Sequence, residues 1–383
     1  MRTKSLGCII AMALFGALTI SVQSSAQEQQ EQPSHTPKAT IKEFNVKGAG
    51  TGAYQGTLPL DINPAGTIIG AYVEESNSVR VFVRDPAGKI TTFNVKGGGN
   101  GAGQGTIAWS INSAGAITGD YADANNVLHG YLRKPDGTIK TFNVKGAGTA
   151  ANQGTRAYCI NAAGEIAGDY LDASNVGHGY LRKPDGTIKT FNAKGAGTGS
   201  GQGTYTASED CLSPDGTIAG GYLDGSNVWH GLVRDPDGTI TPFNVPGAGT
   251  GSGQGTNPGG IDPAGTITGY YIDTNNVYHG FARAPHGKIT TFNVKGAGAA
   301  SGQGTLGENI NVPGVIDGYY IDASGVAHGF SRAVGGQITT FNAPGAGTAS
   351  GQGTFIGPNN PANTIAGYYL DGSNVYHGYL RTP

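Results

Sequence analysis

The chain ends with the segment NVYHGYLRTP, residues 374–383, and the earlier copies of this segment continue into a further short stretch. The copy that starts at Asn126, for example, runs on through KPDGT into IKTFNV, residues 139–144. The first repeat begins with the matching fragment IKEFNV, residues 41–46, without the segments that precede it elsewhere. Each end of the chain therefore carries the part of a repeat that the other end lacks.

The fragment occurs seven times, and each copy marks the start of one repeat. They begin at Ile41, Ile90, Ile139, Ile188, Ile240, Ile289 and Ile338. Successive starts are 49 residues apart, as from Ile41 to Ile90, except that 52 residues separate Ile188 from Ile240. A repeat of this length that contains several strands favours the blades of a propeller. Open solenoids are the alternative class, but they normally carry atypical capping repeats at their ends.

The second repeat shows four strand-like segments separated by turns. These are TIAWSIN (106–112), AITGDYAD (116–123), VLHGYLRK (127–134) and TIKTFNV (138–144). The turn PDG suits a hairpin because proline presets φ and glycine accepts the left-handed conformation. No stretch shows the periodicity of an amphipathic helix. We therefore predict an all-β fold, a seven-bladed β-propeller of four-stranded blades over residues 40–383, whose last blade is closed by the N-terminal strand.

Residues 1–26 have the pattern of a secretory signal peptide. Arg2 and Lys4 precede an apolar run, and the small residues SSA, 24–26, suit a cleavage site. An N-terminal membrane anchor is the alternative, although the apolar run is short for a span. Residues 27–39 are polar and are interpreted as a flexible linker. We expect an exported mature chain without a membrane span, located outside the cell, in the periplasm or at the cell surface.

The triplets HGY, HGF and HGL recur after a GTIxG segment and an Asn-Val turn. In this order they resemble the repeats of the bacterial HAF family of extracellular proteins, which is named for a His-Ala-Phe triplet. The resemblance covers residues 41–383; glycine replaces the family's alanine throughout, and the first repeat has RVF, residues 80–82, instead. It implies an exported, propeller-like protein. The family has no established catalytic residues, so the resemblance assigns none here.

One histidine recurs in six of the repeats, six residues after an aspartate. The pairs are Asp123 and His129, Asp172 and His178, Asp224 and His230, Asp273 and His279, Asp322 and His328, and Asp371 and His377. The first repeat has Glu74 and Arg80 at these positions, so the acid and the base have changed together. Metal ligands must lie within about 2.0 to 2.1 Å of one ion, which histidines on separate blades cannot do. We therefore predict cross-hairpin structural pairs, no metal and no cofactor.

The first strand differs most between repeats. Only deviations from a repeat can carry a specific site, because identical blades offer a ligand no way to choose among them. We predict that this strand lines a central channel and supplies the ligand-binding residues. The candidates are Trp109, Arg156, Tyr158, Tyr205, Glu209, Asp210 and Phe355, with Glu308 on the same strand of the sixth repeat. A second choice is Trp229, Tyr278 and Tyr376, each beside a recurring histidine. The alternative is sequence drift at positions that face solvent.

Two cysteines occupy matching positions on the first strands of neighbouring repeats. They are Cys159 and Cys211. An exported protein meets oxidising conditions, which makes a disulfide between them a hypothesis. The alternative is that the two strands stand too far apart, because bridged Cα atoms lie within about 7 Å of each other.

The charge of the chain limits the classes of partner. The formal net charge is −2, and loss of residues 1–26 would make it more negative. Nothing here attracts a polyanion, so we expect no nucleic-acid partner. We also expect a monomer.

Three classes of function remain open. The first is a non-enzymatic binding or scaffold module for a glycan, a peptide or an envelope protein. The second is an exported lyase or hydrolase with Glu209 or Asp210 as the base and Arg156 as the charge stabiliser. The third is a purely structural envelope protein. The first class leads because the recurring signals are structural, and no catalytic residue is assigned.

Overall fold

The computed structural model describes residues 39–207 and 210–383, and this part of the chain forms 28 β-strands. The strands are β1 (Thr40–Phe44), β2 (Gly56–Ile62), β3 (Ile68–Val73), β4 (Val79–Arg84), β5 (Ile90–Phe93), β6 (Gly105–Ile111), β7 (Ile117–Ala122), β8 (Leu128–Arg133), β9 (Ile139–Phe142), β10 (Gly154–Ile160), β11 (Ile166–Leu171), β12 (Gly177–Arg182), β13 (Ile188–Phe191), β14 (Gly203–Thr206), β15 (Ile218–Leu223), β16 (Trp229–Arg234), β17 (Ile240–Phe243), β18 (Gly255–Ile261), β19 (Ile267–Ile272), β20 (Tyr278–Arg283), β21 (Ile289–Phe292), β22 (Gly304–Ile310), β23 (Ile316–Ile321), β24 (Ala327–Arg332), β25 (Ile338–Phe341), β26 (Gly353–Phe355), β27 (Ile365–Leu370) and β28 (Tyr376–Thr382).

The predicted signal peptide, the predicted linker up to residue 38, and Glu209 lie outside the described residues. Within the described ranges, no helix has the length and apolar character needed to cross a membrane.

Consecutive strands form seven units of four antiparallel strands. Unit 1 is β2–β5, unit 2 is β6–β9, unit 3 is β10–β13, unit 4 is β14–β17, unit 5 is β18–β21, unit 6 is β22–β25, and unit 7 combines β26–β28 with β1. The first strand of a unit is mostly buried, and β2 is buried along its whole length, whereas the fourth strand is half exposed, as in β5. The first strands are therefore innermost and the fourth strands outermost.

The units join into one closed sheet. The third strand of each unit pairs in parallel with the first strand of the next at a single position, as between Val79 of β4 and Gly105 of β6. A Cβ atom on Gly105 would lie 2.0 Å from the Val79 carbonyl oxygen, so only glycine fits there. The last link runs from Tyr376 of β28 back to Gly56 of β2. The described chain is thus an all-β, propeller-like repeat fold that closes on itself.

The N-terminal strand completes unit 7. β1 pairs antiparallel with β28, from Thr40 opposite Thr382 to Phe44 opposite Gly378. The side-chain hydroxyls of Thr40 and Thr382 lie 2.7 Å apart. Phe44 also contacts unit 1, because its ring centre lies 5.1 Å from the guanidinium carbon of Arg84. The two ends of the repeat region therefore meet in one four-stranded sheet.

Neighbouring units hold each other through contacts that recur along the chain. The arginine that ends a third strand lies over a phenylalanine of the preceding unit, as Arg133 lies 4.8 Å from the ring centre of Phe93. Such a contact contributes about 0.5 to 2 kcal/mol. Nearer the axis, the Asn112 amide donates to the carbonyl of Asn161 in the next unit at 3.0 Å. The recurrence of these residues is explained by packing between units.

A disulfide links units 3 and 4. It joins Cys159 of β10 to Cys211, which precedes β15, and the two Cα atoms are 5.8 Å apart. The pairing of β10 with β11 shifts between Ala157 and Cys159, which marks a β-bulge at Tyr158. Because a one-residue shift moves side chains to the other face of a sheet, this bulge sets the side on which Cys159 lies.

Candidate functional site

The loop face is the side of the ring at which the first strands begin, the second strands end and the third strands begin. In unit 3 these residues are Gly154, Leu171 and Gly177. The recurring glutamine fixes this face, as the Gln153 amide donates to the carbonyl of Ala173 in the turn between the second and third strands, at 3.1 Å. The glycine-rich connections and these turns therefore form one braced surface around the inner strands.

Each unit places the third residue of its first strand opposite one residue of its second strand. These facing pairs, from unit 1 to unit 7, are Leu58 and Ala71, Ile107 and Asp120, Arg156 and Asp169, Tyr205 and Gly221, Asn257 and Tyr270, Leu306 and Tyr319, and Phe355 and Tyr368. They are apolar in unit 1, include a carboxylate in units 2 and 3, and include an aromatic ring in units 4 to 7. Near the loop face, the facing pairs thus contain acidic side chains in units 2 and 3 and aromatic side chains in units 4 to 7.

Units 2 and 3 contain an ionic cluster, which we define as Trp109, Asp120, Arg156 and Asp169. The indole Nε1 of Trp109 donates to Oδ1 of Asp120 at 2.6 Å. The Nε of Arg156 donates to Oδ1 of Asp169 at 2.7 Å. All four side chains are buried, with Arg156 at 3% exposure and Asp169 at 2%. The sequence predicted Trp109 and Arg156 as channel-lining residues, but both side chains are buried in the packing between units.

Burial governs the titration of this cluster. Burial raises the pKa of Asp120 to about 7, and the hydrogen bond from Trp109 and the charge of Arg156 offset only part of that rise. Burial also disfavours the charged form of Arg156, but the Asp169 carboxylate outweighs this effect and holds the pKa of Arg156 above its ordinary value. Arg156 is therefore a buried cation whose partner is inside the protein.

Two tyrosines surround the Arg156 guanidinium. Its central carbon lies 5.9 Å from the ring centre of Tyr158 and 5.9 Å from that of Tyr205. Tyr158 packs edge-on against Trp109 at 5.4 Å, and Tyr205 lies 5.6 Å from Trp229. The hydroxyl of Tyr205 donates to the backbone of the connection that precedes it. The structure thus brings the predicted residues Tyr158 and Tyr205 together, but they pack around the buried Arg156 guanidinium.

Units 5 to 7 contain an aromatic cluster instead. We define it as Tyr270, Tyr278, Tyr319, Phe355, Tyr368 and Tyr376. The Phe355 ring stacks on Tyr368 at 5.3 Å and meets Tyr319 edge-on, also at 5.3 Å. Tyr270 lies 5.6 Å from Tyr278. Tyr270, Tyr278, Phe355 and Tyr368 are partly exposed, whereas Tyr319 and Tyr376 are buried. The partly exposed rings form an accessible apolar surface.

Glu308 adds a carboxylate to this cluster. The first strands of five units have a β-bulge, with Leu60, Trp109, Tyr158, Gly259 and Glu308 as the bulged residues. A bulge re-aims its side chain and is frequent beside functional sites. Leu60, Trp109 and Tyr158 pack against one another. Glu308 instead has its backbone carbonyl beside Gly259, which has no side chain. Glu308 is partly exposed.

Tyr319 is a buried member of the aromatic cluster, and Tyr270, Tyr278 and Phe355 pack against the core that contains it. Burial raises the pKa of Tyr319 well above its ordinary value, and the nearby Glu308 carboxylate, Tyr368, Tyr270 and Tyr278 raise it further, in that order. Tyr319 is therefore neutral at physiological pH, and Glu308 is a nearby source of negative charge.

Of the other predicted residues of the fourth unit, the structure describes Asp210, which lies beside Gly260 of unit 5. Glu209 is outside the described residues. The carbonyl of Asp210 accepts the backbone N–H of Ile261 in unit 5 at 2.9 Å, and its Cβ lies against Gly260. The described part of Asp210 therefore joins unit 4 to unit 5.

The six recurring aspartate–histidine pairs lie on six different units, with both members of a pair in the same unit. The Nε2 of each histidine is 3.1 to 3.4 Å from its predicted aspartate, and Arg80 is 3.0 Å from Glu74. A tyrosine of the second strand stacks on each histidine at 4.7 to 4.9 Å. Across residues 39–207 and 210–383, no group of three or more histidine, cysteine or acidic side chains is placed to hold a metal ion.

Sequence reasoning missed the second-strand half of every facing pair. The signal was present in one triplet, which reads GAY in unit 1, GDY in units 2 and 3, GGY in unit 4 and GYY in units 5 to 7. Asp120, Asp169, Tyr270, Tyr319 and Tyr368 are the middle residues of five of these triplets. The prediction considered the variation of the first strand, so the second-strand residues that complete the two clusters were not predicted.

No protein-family model matches this chain, and no curated protein matches it. The resemblance of its repeats to the HAF family therefore stays a prediction.

Solved structures do match. BP39L lectin from Burkholderia pseudomallei aligns with a TM-score of 0.55 and 10% sequence identity over 84% of this chain and 94% of that chain. Aleuria aurantia lectin in complex with Fucα1-6GlcNAc aligns with a TM-score of 0.42 and 12% identity over 76% and 96%. Porphyromonas gingivalis dipeptidyl peptidase 4 aligns with a TM-score of 0.43 and 10% identity over 82% and 50%. At such identities only the fold is shown, and it rests on the BP39L match.

Proposed function

We propose that this chain is an exported, non-enzymatic seven-bladed β-propeller that binds a glycan at the loop face, over the aromatic cluster of units 5 to 7. The observation that carries the proposal is the concentration of partly exposed rings, Tyr270, Tyr278, Phe355 and Tyr368, at register positions where units 1 to 3 have other residues. Identical units would give a ligand seven equal places, and this cluster is what makes one sector different.

The chemistry of the cluster suits a sugar. Flat aromatic rings pack on the apolar faces of sugar rings, and tyrosine hydroxyls and a carboxylate satisfy sugar hydroxyls at the edges. Phe355 and Tyr368 offer a stacked pair of rings, and Glu308 lies two residues along β22 from Leu306, which faces Tyr319. BP39L, whose fold this chain shares, is named a lectin, but the argument for a glycan here rests on these residues.

The ionic cluster supports a binding role over a catalytic one. Asp169 is engaged by Arg156 and Asp120 by Trp109, and all four side chains are buried away from the partly exposed rings. A general base must reach the proton that it removes, within about 2.6 to 3.2 Å. These buried groups are better suited to fixing the inner strands that hold the site.

Export is part of the proposal. Disulfides form and persist mainly in oxidising compartments, and the Cys159–Cys211 bridge agrees with the signal peptide predicted in residues 1–26. The HAF-like repeats point to the same location outside the cytoplasm.

A glycan array followed by calorimetry tests the proposal. We expect the chain to bind at least one glycan, and Phe355→Ala with Tyr368→Ala to weaken that binding by tenfold or more, or about 1.4 kcal/mol. Phe93→Ala is the matched control, because Phe93 is also partly exposed but lies on an outermost strand. Absence of any glycan ligand, or equal loss of binding in the control, would overturn the glycan assignment.

A further inference from the structure

We infer that the aromatic cluster and Glu308 recognise a positively charged ammonium group on the ligand. This inference rests on the proposed function in one respect, which is that the ligand binds over units 5 to 7. It adds a charge requirement that a neutral sugar does not meet.

The first step is the charge of the surroundings. The first and second strands of units 5 to 7, namely β18, β19, β22, β23, β26 and β27, contain no lysine or arginine. At the facing positions these strands contribute four aromatic rings, Tyr270, Tyr319, Phe355 and Tyr368, and the bulge of β22 contributes the Glu308 carboxylate. The electron-rich faces of aromatic rings attract cations, and a carboxylate strengthens that preference. An anionic ligand would be repelled here.

The second step is an internal precedent on the other side of the ring. In units 2 to 4 the guanidinium of Arg156 lies 5.9 Å from the ring centres of both Tyr158 and Tyr205, and it pairs with Asp169. This chain thus already houses one cation between tyrosine faces and a carboxylate. Units 5 to 7 have tyrosines at the second-strand facing positions and Glu308 two residues beyond Leu306 on β22, and their facing pairs contain no cationic side chain.

The third step is accessibility. Arg156 is 3% exposed, so its cluster admits no external cation. Tyr270, Tyr278, Phe355, Tyr368 and Glu308 are all partly exposed. A ligand can therefore approach the second set of groups but not the first.

The recognised chemistry is an alkylammonium group, and two sources carry it. One is the free amine of an amino sugar, which tyrosine hydroxyls and Glu308 can also hydrogen-bond. The other is a quaternary ammonium headgroup, which can contact only ring faces and charge. The test contains one arm for each source.

The test uses the full mature chain and isothermal calorimetry at low salt. The first arm compares an oligosaccharide of glucosamine with the same length of N-acetylglucosamine, in which acetylation removes the charge. The second arm compares choline with its neutral isostere 3,3-dimethylbutan-1-ol. We expect a preference of about tenfold for the charged member of one pair, in line with about 0.5 to 2 kcal/mol for a cation over an aromatic face.

Glu308→Gln should reduce that preference to less than about threefold while affinity for the neutral member stays the same. Glu75→Gln is the matched control, because Glu75 is an exposed glutamate in a turn of the loop face. In the wild type, raising the pH above the pKa of the glucosamine amine should also abolish the preference in the first arm, which needs no variant.

The outcomes separate the two proposals. Equal binding of acetylated and free amino sugars, lost on Phe355→Ala, would overturn the ammonium requirement and leave the glycan function standing. Preference for choline alone would support the ammonium site and overturn the glycan. Binding of none of the four probes, or an unchanged preference in Glu308→Gln, would overturn the ammonium site.

Discussion

The Nε of Arg156 on β10 donates a 2.7 Å hydrogen bond to Oδ1 of Asp169 on the neighbouring strand β11. Both side chains are almost fully buried, and the two residues form the facing pair of unit 3. No other facing pair joins a cation to a carboxylate. Unit 3 is therefore the one unit whose facing pair is an ion pair. The same Arg156 packs against Tyr158 and Tyr205.

Removing the acid from this pair should be costly. Asp169→Asn leaves the buried Arg156 charge without its partner, which lowers the free energy of unfolding by about 3 to 5 kcal/mol. Asp123→Asn is the matched control, because Asp123 pairs with His129 at the surface and such pairs contribute about 0 to 1 kcal/mol. Urea denaturation measures both. Equal destabilisation by the two variants would contradict the role assigned to the buried pair.

Ionisation of Asp317 should lower the free energy of unfolding as the pH rises. Its carboxyl is fully buried in unit 6, and burial raises its pKa to about 7 despite hydrogen bonds from Ser331 and Asn359 and the nearby Arg381 charge. A carboxyl whose folded pKa lies above its unfolded value of about 3.9 contributes fully below pH 4, and that contribution is lost as pH rises through about 7.

We therefore expect urea denaturation of Asp317→Asn to show a flatter dependence on pH between 4.5 and 7.5 than the wild type, by roughly 2 to 4 kcal/mol over that window. Asp136→Asn serves as the control, because Asp136 is exposed and hydrogen bonds from Thr138 lower its pKa. Parallel pH profiles for the wild type and Asp317→Asn would show that Asp317 ionises normally.

The pairing of the chain ends should be needed for stability. Deletion of residues 40–46 removes β1 and leaves β28 with an unpaired edge, which invites aggregation. We expect a melting temperature lower by more than about 4 °C, equivalent to roughly 1 to 2 kcal/mol in a domain of this size, or aggregation on heating. Deletion of residues 27–38 is the control and should leave the melting temperature unchanged. A β1 deletion as stable as this control would argue against closure through the N-terminal strand.

The disulfide should form in the exported protein and stabilise it. Intact mass without reductant should be lower by two hydrogen atoms than the mass after reduction, because Cys159 and Cys211 are bridged. Reduction should lower the free energy of unfolding by about 2 to 4 kcal/mol, since the bridge closes a loop of 52 residues. Cys159→Ser with Cys211→Ser gives the reference that reductant cannot change. Two alkylatable thiols in the non-reduced protein would rule the bridge out.

Much of the fold could be predicted from the sequence because its signals are local or periodic. Glycine and proline turns, short Ile-, Val- and Tyr-rich segments and a regular spacing identify strands without any knowledge of contacts. The complementary fragments at residues 41–46 and 374–383 predicted that β1 would pair with β28, and they do pair. The matching positions of Cys159 and Cys211 suggested their bridge on the same grounds of repeat spacing.

The site could not be predicted in the same way, because it depends on which side chains meet. Trp109 and Arg156 were predicted to face a channel, yet Trp109, at a bulge, donates to Asp120, and Arg156 donates to Asp169 opposite it on the next strand. Their exposure follows from how closely neighbouring units pack, which no local pattern records.

The sequence by itself therefore determined the strands, their order and the joining of the two ends, since these follow from backbone propensity and periodicity. Only the tertiary structure decided that Tyr270, Tyr319, Phe355 and Tyr368 form one cluster with Glu308, while Arg156 is enclosed by Asp169 and two tyrosines. The physical reason is that register, bulges and the contact of separate units bring together residues about fifty positions apart in the chain, and burial then sets their charge and accessibility.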